Sequence, residues 1–329
     1  MRRPPGRACA PRNAIDTIAV VPSLFDHRLI FVTGKGGVGK STVAVLLGLV
    51  AARRGLRTIV AELHSQERVQ GTFAHHGERF SEVELAPGLF TISIEAERAM
   101  DEYLRVKAGV LGHALGSSRL FQTLTLATPG MRELLSIGKV WELAQLQRRT
   151  AGAAPYDLVI VDAPATGHGV GMLRTPKKFA DMALVGPIAH QGRQIAAMIY
   201  DRRRTAVVAV ATPEEIPVNE TLSLREALAN EDLALALVIA NGVYPTRFDK
   251  RGVDALEHSL GHTDDALAAA AVRAALSEHA RSETQRAQLD RLRARLNLDG
   301  RVVELPFVFA EDLQRTELEQ LADLLEVQL

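Results

Sequence analysis

The sequence predicts an α/β fold in which a mainly parallel sheet carries helices on both faces. Short apolar runs, typical of buried strands, alternate with segments of helical character over residues 28–329. A glycine-rich segment joins the first apolar run to the first helical segment. Strands that alternate with helices favour parallel pairing, because a parallel strand needs a long crossover to return to the same edge of the sheet.

Strands and helices are predicted in alternation along nearly the whole chain. The predicted strands cover 28–34, 57–63, 89–94, 156–164, 206–212, 235–245 and 301–306. The predicted helices cover 40–54, most of 95–150 with breaks at 116–118 and 128–130, about 175–201, 214–229, two or three segments within 250–297, and 311–327. Glycine at position 55 is the expected stop of the first helix.

No internal repeat and no low-complexity linker divides the sequence, so one domain is expected over residues 27–329. A helical subdomain at about 95–150 and a helical segment at 170–204 elaborate it. Residues 1–26 are basic and proline-containing near their start, and are expected to form a flexible arm.

Composition restricts the possible function classes. Lys plus Arg and Asp plus Glu number 39 each, so a generally basic surface for nucleic acid is not expected. A single cysteine, Cys9, cannot form an intrachain disulfide or a multi-cysteine metal site. No apolar run approaches the ~20 residues that span a bilayer, and no secretory signal is evident. We therefore expect a cytoplasmic protein without an integral membrane segment.

The segment "GKGGVGKS", between the first strand and the first helix, fits the phosphate-loop pattern G-x-x-x-x-G-K-[ST]. Its glycines let backbone N–H groups face a polyphosphate at the positive end of the helix dipole. Lys40 is expected to contact the β- and γ-phosphates, Ser41 to ligate Mg²⁺, and Thr42 to support the α-phosphate of ATP. The predicted phosphate-binding residues are Gly34, Gly36, Gly37, Val38, Gly39, Lys40, Ser41 and Thr42.

A second motif, "LVIVDAPATGHG", begins as a buried strand and ends in small polar residues. Asp162 closes that strand, where it is expected to hold Mg²⁺ through water. The residues after it, Pro164 and Thr166 to His168, are expected to form a short loop that senses the γ-phosphate. His168 either touches phosphate or water there, or simply packs.

These motifs resemble a particular group of P-loop NTPases, the SIMIBI class. A phosphate loop with lysine in second position, here Lys35, is the deviant loop of the MinD/ParA/ArsA proteins. "DAPATGH" is similar to the "DTAPTGH" signature of the arsenite-pump ATPase family, which also contains the tail-anchored-protein targeting ATPases. Four further segments resemble its bacterial members, at 127–143, 212–221, 240–245 and 304–309. The resemblance spans residues 28 to about 310.

The resemblance implies a dimeric ATPase that uses Mg²⁺ and ATP, with an identical or paralogous second subunit. Lys35 would reach the phosphates bound by that subunit and so act with Lys40 and Asp162 in hydrolysis. Asn241 would hydrogen-bond adenine, and Pro306 and Phe307 would flank it.

The sequence departs from the family after the second strand, where relatives carry an aspartate that positions the attacking water. His64 stands at that position. Glu62, two residues earlier, is the first candidate to orient water or Mg²⁺. The alternative is that Glu62 pairs with a nearby loop lysine or arginine. Losing the aspartate predicts slow hydrolysis.

Two cysteine sites that occur in this family, one for metalloid cargo and one that closes the dimer, are incomplete here. Arsenite pumps bind metalloid through three thiolates and targeting ATPases share a zinc-binding C-x-x-C, and one cysteine supplies neither. The resemblance to this family and the apolar helical region imply a protein or membrane-protein client handled by the helical surface at 95–150. Two alternatives stay open: a ParA/MinD-like nucleotide-switched scaffold, and an oxyanion-efflux ATPase subunit without a cysteine site.

Overall fold

The computed structural model describes residues 23–63, 69, 80–116, 128–150, 152–182, 187–296, 302–310 and 312–329. Within them, eight strands form one sheet in the order β3-β4-β2-β5-β1-β6-β7-β8. The strands are β1 (Leu29–Gly34), β2 (Thr58–Glu62), β3 (Val83–Ala86), β4 (Leu89–Ser93), β5 (Leu158–Asp162), β6 (Thr205–Ala211), β7 (Leu235–Val243) and β8 (Val302–Pro306). All neighbours pair in parallel except β3 and β4. The predicted α/β fold with a mainly parallel sheet is confirmed.

The helices among the described residues follow the predicted order. They are α1 (Lys40–Arg53), α2 (Ala96–Gly116), α3 (Met131–Leu143), α4 (Thr166–Met182), α5 (Pro187–Ile199), α6 (Glu215–Ala229), α7 (Lys250–Leu260), α8 (Ala266–Leu296) and α9 (Arg315–Gln328). Gly55 has φ +82°, as expected of a glycine that ends a helix. None of the described helices combines the length and apolar character needed to cross a bilayer.

Two layers of apolar side chains cover the two faces of the sheet. One layer packs α1 and α9 against the strands, with Leu46 of α1 and Leu321 of α9 in the same buried cluster. The other layer packs α3, α4, α5 and α6, and includes Ile137 of α3 and Ile195 of α5. Burial on both faces explains why the central strands are apolar without alternation.

Several sequence predictions need correction. The structure adds an antiparallel edge strand, β3, which joins β4 through Pro87 and Gly88, the latter at φ +80°. Its four residues are too short and too mixed in polarity to stand out from their neighbours. In addition, Leu24–Asp26, which were predicted to belong to the flexible arm, form a 3₁₀ helix in which Phe25 is buried. The arm prediction for residues 1–22, and with it Cys9, lies outside the described residues.

The third correction concerns the helix after Asp162. It was expected from about residue 175, with a loop before it, but α4 already begins at Thr166. The backbone N–H groups of His168 and Gly169 both donate to Ala165 O, which closes the first turn of that helix. The glycines and Pro176 signal breaks in the sequence, yet the helix runs through them, since packing on the sheet outweighs weak local propensity.

A buried ionic cluster joins the helical region to the edge of the sheet. The Arg148 side chain is 1% exposed and contacts Glu82 at 2.5 Å and Glu142 at 2.8 Å. Lys139 Nζ lies 2.9 Å from carboxylate oxygens of both Glu102 and Glu142. Helix α3 ends at Leu143. The prediction of a helical segment up to residue 150 is therefore wrong for the residues after Leu143, which form the loop that carries Arg148.

Candidate nucleotide site

The glycine-rich loop leaves the carboxyl end of β1 in the middle of the sheet. Strand β1 lies between β5 and β6, and the chain builds outward on opposite sides of it. In open α/β sheets, ligands bind outside the carboxyl ends of the strands at such a reversal of strand order. The fold therefore places the predicted phosphate loop at the expected binding crevice.

Two kinds of glycine form this loop. At Gly34 a Cβ atom would lie 2.1 Å from Val210 O, and at Gly39 it would lie 2.3 Å from Asn241 Nδ2, so neither position has room for a side chain. At Gly36 and Gly37 a Cβ atom would meet nothing within 4 Å, and both residues are exposed. The loop thus packs closely against the protein at its two ends and opens to solvent between them, which is the shape that a phosphate chain needs.

Helix α1 begins directly behind this opening. No side chain among the described residues caps its N terminus at Gly39, and the N-terminal N–H groups of a helix form a suitable site for an anion. Lys40 Nζ donates to Lys35 O at 2.9 Å, which folds the Lys40 side chain back over the loop. Val38 is buried, 3% exposed, and anchors the loop to the core.

The two predicted Mg²⁺ residues meet at the head of the loop. Ser41 Oγ donates to Asp162 Oδ2 at 2.6 Å. Asp162 is 1% exposed, and the β1–β5 register places it opposite Val32. A hydroxyl and a carboxylate oxygen are the hard ligands that Mg²⁺ prefers, so these residues fit a magnesium ion.

Glu62 lies beside Asp162, because the β2–β5 register pairs these two residues directly. Its side chain is almost fully buried, at 1% exposure, and Oε1 accepts a hydrogen bond from Val69 N at 3.0 Å. His64 lies outside the described residues. The structure thus brings a second carboxylate next to the predicted magnesium position, and the water-orienting role of Glu62 stays a prediction.

The second loop lysine has a partner that the sequence did not single out. Lys35 Nζ lies 3.6 Å from Glu220 Oε1, a residue of α6. The other oxygen of Glu220 accepts a hydrogen bond from Thr166 Oγ1 at 3.4 Å. Glu220 lies within the "TPEEIPVNET" segment. The sequence could not show that it faces the phosphate loop.

His168 lies in the first turn of α4 and is exposed. The loop between β5 and that helix is therefore shorter than predicted, and His168 belongs to a helix rather than to the loop. The contact of His168 with phosphate or water stays a prediction.

The predicted adenine side is an aromatic surface. Asn241 Nδ2 donates to Val38 O at 2.9 Å, which ties the end of β7 to the phosphate loop. Phe307 stacks on Tyr244 with ring centroids 4.6 Å apart and 19° between planes. Pro306 and Phe307 are exposed, so both are open to a base. The sequence analysis did not single out Tyr244, although this residue lies within the segment at 240–245.

The fold, the glycine loop and the Ser41–Asp162 pair define a P-loop nucleotide hydrolase. A profile of the anion-transporting ATPase family matches residues 27–185 and 188–260. The ATPase BagA of Mycobacterium tuberculosis is 31% identical over 230 residues, covering 68% of this chain and 67% of that protein. The ATPase GET3 of Podospora anserina is 24% identical over 265 residues, covering 69% of this chain and 75% of that protein. The arsenical pump-driving ATPase of Escherichia coli is 26% identical over 236 residues, covering 66% of this chain and 39% of that protein.

The chain belongs to the anion-transporting ATPase family, and its activity is ATP hydrolysis. This confirms the resemblance that the sequence motifs indicated.

Proposed function

We propose that this ATPase works as a Mg²⁺- and ATP-dependent dimer that couples nucleotide binding and hydrolysis to the handling of a protein or membrane-protein client. The observation that supports it best is the hydrogen bond between Ser41 and Asp162 at the head of an open glycine loop. That pairing brings the oxygen ligands for a metal to the place where a bound triphosphate would end.

The chain's own residues divide the work at this site. The N-terminal N–H groups of α1 and the Lys40 ammonium bind the phosphates, and Ser41 and Asp162 hold the metal position. Bound Mg²⁺ would neutralise charge on the β- and γ-phosphate oxygens. Glu62, buried beside Asp162, is the carboxylate proposed to orient water. Asn241, Pro306 and Phe307 are proposed to position adenine.

Lys35 supports the dimer proposal because its present contact is weak. The Lys35 and Glu220 side chains are 34% and 36% exposed, and such pairs contribute about 0–1 kcal/mol. Lys35 can therefore exchange Glu220 for a phosphate of a neighbouring subunit. A charge supplied across an interface stabilises the reaction only when the subunits close, which links hydrolysis to closure.

The same contact lies at the start of a path toward the helical region. Glu220 binds both Lys35 and Thr166, the first residue of α4. Helix α4 packs against α3 and α5, and α3 packs in turn against α2. A change at Lys35 is thus proposed to shift α4 and the client surface formed by α2 and α3.

A client is favoured over metalloid cargo by the chemistry of the chain. The Escherichia coli relative drives an arsenical pump, and arsenic(III) prefers thiolate ligands. This sequence has one cysteine and cannot supply three thiolates from one chain.

Two measurements test the proposal. Phosphate release should require Mg²⁺, and ATP with Mg²⁺ should convert the protein to a dimer in size-exclusion chromatography with light scattering. A Lys40→Ala variant, which should not hold nucleotide, is the control. If the oligomeric state is the same with ATP, ADP and no nucleotide, the dimer-clamp mechanism is wrong. A pull-down with an ATP-loaded Glu62→Gln variant, compared with Lys40→Ala, would identify the client and the second subunit together.

A further inference from the structure

A cavity of about 480 Å³ lies between α2, α3 and α5, away from the nucleotide loop. Small-molecule sites in proteins typically enclose about 300–1,000 Å³ and are mainly apolar with a few placed polar groups. Aliphatic side chains dominate this cavity, and they include Met100, Leu104, Met131, Leu134, Leu135 and Ile195. Its size and walls match a small apolar ligand.

Two polar groups at the cavity are unsatisfied among the described residues. Glu102 Oε2 and Gln191 Nε2 are buried and have no hydrogen-bond partner there. Their other atoms are used, since Glu102 Oε1 accepts from Lys139 at 2.9 Å and Gln191 Oε1 accepts from Arg149 at 2.6 Å. A buried polar atom without a partner costs about 1–3 kcal/mol, so it is usually met by water or a ligand. The Glu102 oxygen needs a hydrogen-bond donor, and the Gln191 nitrogen needs an acceptor.

The charges around this end of the cavity balance. Lys139 and Arg148 link the carboxylates into a network of ion pairs. Among the residues that the structure describes, three acidic and three basic side chains belong to this network or adjoin it, namely Glu82, Glu102, Glu142, Lys139, Arg148 and Arg149. A charged head group would bring an uncompensated charge into this neutral environment, which is costly when buried.

We propose that this cavity binds a neutral amphiphile, with an alkyl chain along the aliphatic wall and a hydroxyl or amide head at Glu102 and Gln191. A hydroxyl or amide both donates and accepts, so a head group of this type offers the donor that Glu102 needs and the acceptor that Gln191 needs. If each non-hydrogen atom takes the ~30 Å³ of a water molecule in the liquid, the cavity holds about 16 such atoms. That is far less than a membrane-spanning client helix of ~20 residues. The ligand is therefore distinct from the proposed client.

The first test uses the full chain and glycerol monodecanoate below its critical micelle concentration. Glycerol monodecanoate should displace the neutral dye N-phenylnaphthylamine in a saturable manner, and calorimetry should show one binding site per chain. Decanoate, with the same chain and a charged head, should bind at least ~10-fold more weakly, because its carboxylate would be buried unpaired. Lack of saturable displacement would overturn the proposal, and equal binding of decanoate would overturn the neutral head group.

Variants distinguish binding in the cavity from nonspecific adsorption to the protein surface. Gly138 lines the cavity, and its Cβ position lies an ordinary 3.9 Å from Ile195 Cδ1, so Gly138→Leu fills the space. Gly171→Leu is the matched control, since this glycine of α4 has nothing within 4 Å of a Cβ. Glycerol monodecanoate affinity should fall at least ~10-fold in Gly138→Leu and stay unchanged in the control.

Gln191→Leu keeps the proposal testable if Gly138→Leu fails to fold. It removes the unsatisfied donor and retains an apolar wall. Loss of one hydrogen bond should weaken glycerol monodecanoate by about 3- to 10-fold and leave the affinity of the dye unchanged. Wild-type affinity for glycerol monodecanoate in the folded Gln191→Leu variant would contradict the head-group assignment.

Discussion

Lys35→Ala separates the two lysines of the phosphate loop. In the isolated chain this substitution removes a 3.6 Å ion pair with Glu220 between side chains that are 34% and 36% exposed. Such a pair contributes about 0.2–1 kcal/mol, so the free energy of unfolding of the variant should lie within ~1 kcal/mol of the wild-type value. It should also bind ATP normally, because the loop backbone, Lys40 and the α1 N terminus are untouched.

Hydrolysis should fall far more than stability. Charges supplied across an interface to a transferring phosphoryl group contribute about 10³–10⁵ in rate in P-loop NTPases. We therefore expect kcat to drop by at least ~100-fold, which corresponds to ~2.7 kcal/mol of lost transition-state stabilisation. That loss exceeds what the Glu220 contact is worth within one subunit, so a structural effect of the substitution cannot account for it.

The assay is phosphate release at saturating ATP, together with fluorescent-nucleotide affinity and light scattering. Arg53→Ala is a matched control, since Arg53 is a cation of α1, 35% exposed, paired with Asp323 away from the site. It should hydrolyse ATP as wild type does. Lys40→Ala should instead lose nucleotide affinity.

Mixing subunits makes the test sharper. Lys35→Ala lacks the lysine for its partner but keeps its own magnesium position, whereas Asp162→Asn has the reverse defect. If Lys35 acts in the neighbouring site, a mixture of the two inactive variants should regain hydrolysis. Wild-type turnover by Lys35→Ala alone, or no recovery on mixing, would refute the reasoning.

Three further predictions concern metal and stability. Asp162→Asn should weaken the Mg²⁺ dependence of hydrolysis and lower kcat at least ~10-fold while the fold is kept, as measured by metal titration of phosphate release. Arg148→Met should lower the free energy of unfolding in urea by about 3–5 kcal/mol, because it removes the buried cation that contacts both Glu82 and Glu142. Arg315→Met, in an exposed pair on α9, should change that free energy by less than ~0.5 kcal/mol. Burial alone would raise the pKa of Glu82 and of Glu142, but Arg148 holds both pKa values below the usual 4.5. The stabilisation from these carboxylates should therefore be fully present above that pH and be lost as the pH falls through the lowered pKa values. The free energy of unfolding should depend less steeply on pH in Arg148→Met.

These outcomes have clear contrary results. A pH-independent unfolding free energy between pH 5 and 3 would contradict the role of the two carboxylates. Equal effects of Arg148→Met and Arg315→Met would show that the buried cluster is not stabilising. Unchanged metal dependence in Asp162→Asn would remove Asp162 from the proposed magnesium site.

Much of the fold could be predicted from the sequence, because motif spacing and apolar runs are local features of the chain. The strand that ends at Gly34 and the loop that follows it carry a fixed spacing of residue types, and the apolar run that ends at Asp162 is bounded by turn residues. Strand β3 was missed because four residues at an edge bury only part of their side chains. The early start of α4 was missed because packing overrode the glycines near its N terminus.

The contacts that matter most for function connect residues far apart in the chain. Ser41 and Asp162 are 121 positions apart, and Asn241 and Val38 are 203 apart. The two motifs predicted that the first pair would converge, because both residues were expected at the same Mg²⁺ ion. No periodicity predicts that Asn241 ties β7 to the phosphate loop.

By itself, the sequence determined the family, the phosphate loop and the order of strands and helices, because these depend on motif spacing and hydrophobic patterning. The tertiary structure decided which partner each charged side chain takes. It placed Glu220 beside Lys35, enclosed Arg148 among carboxylates, and left a cavity between α2, α3 and α5. The physical reason is that these features depend on side-chain direction and packing between distant elements, and neither is encoded in local spacing.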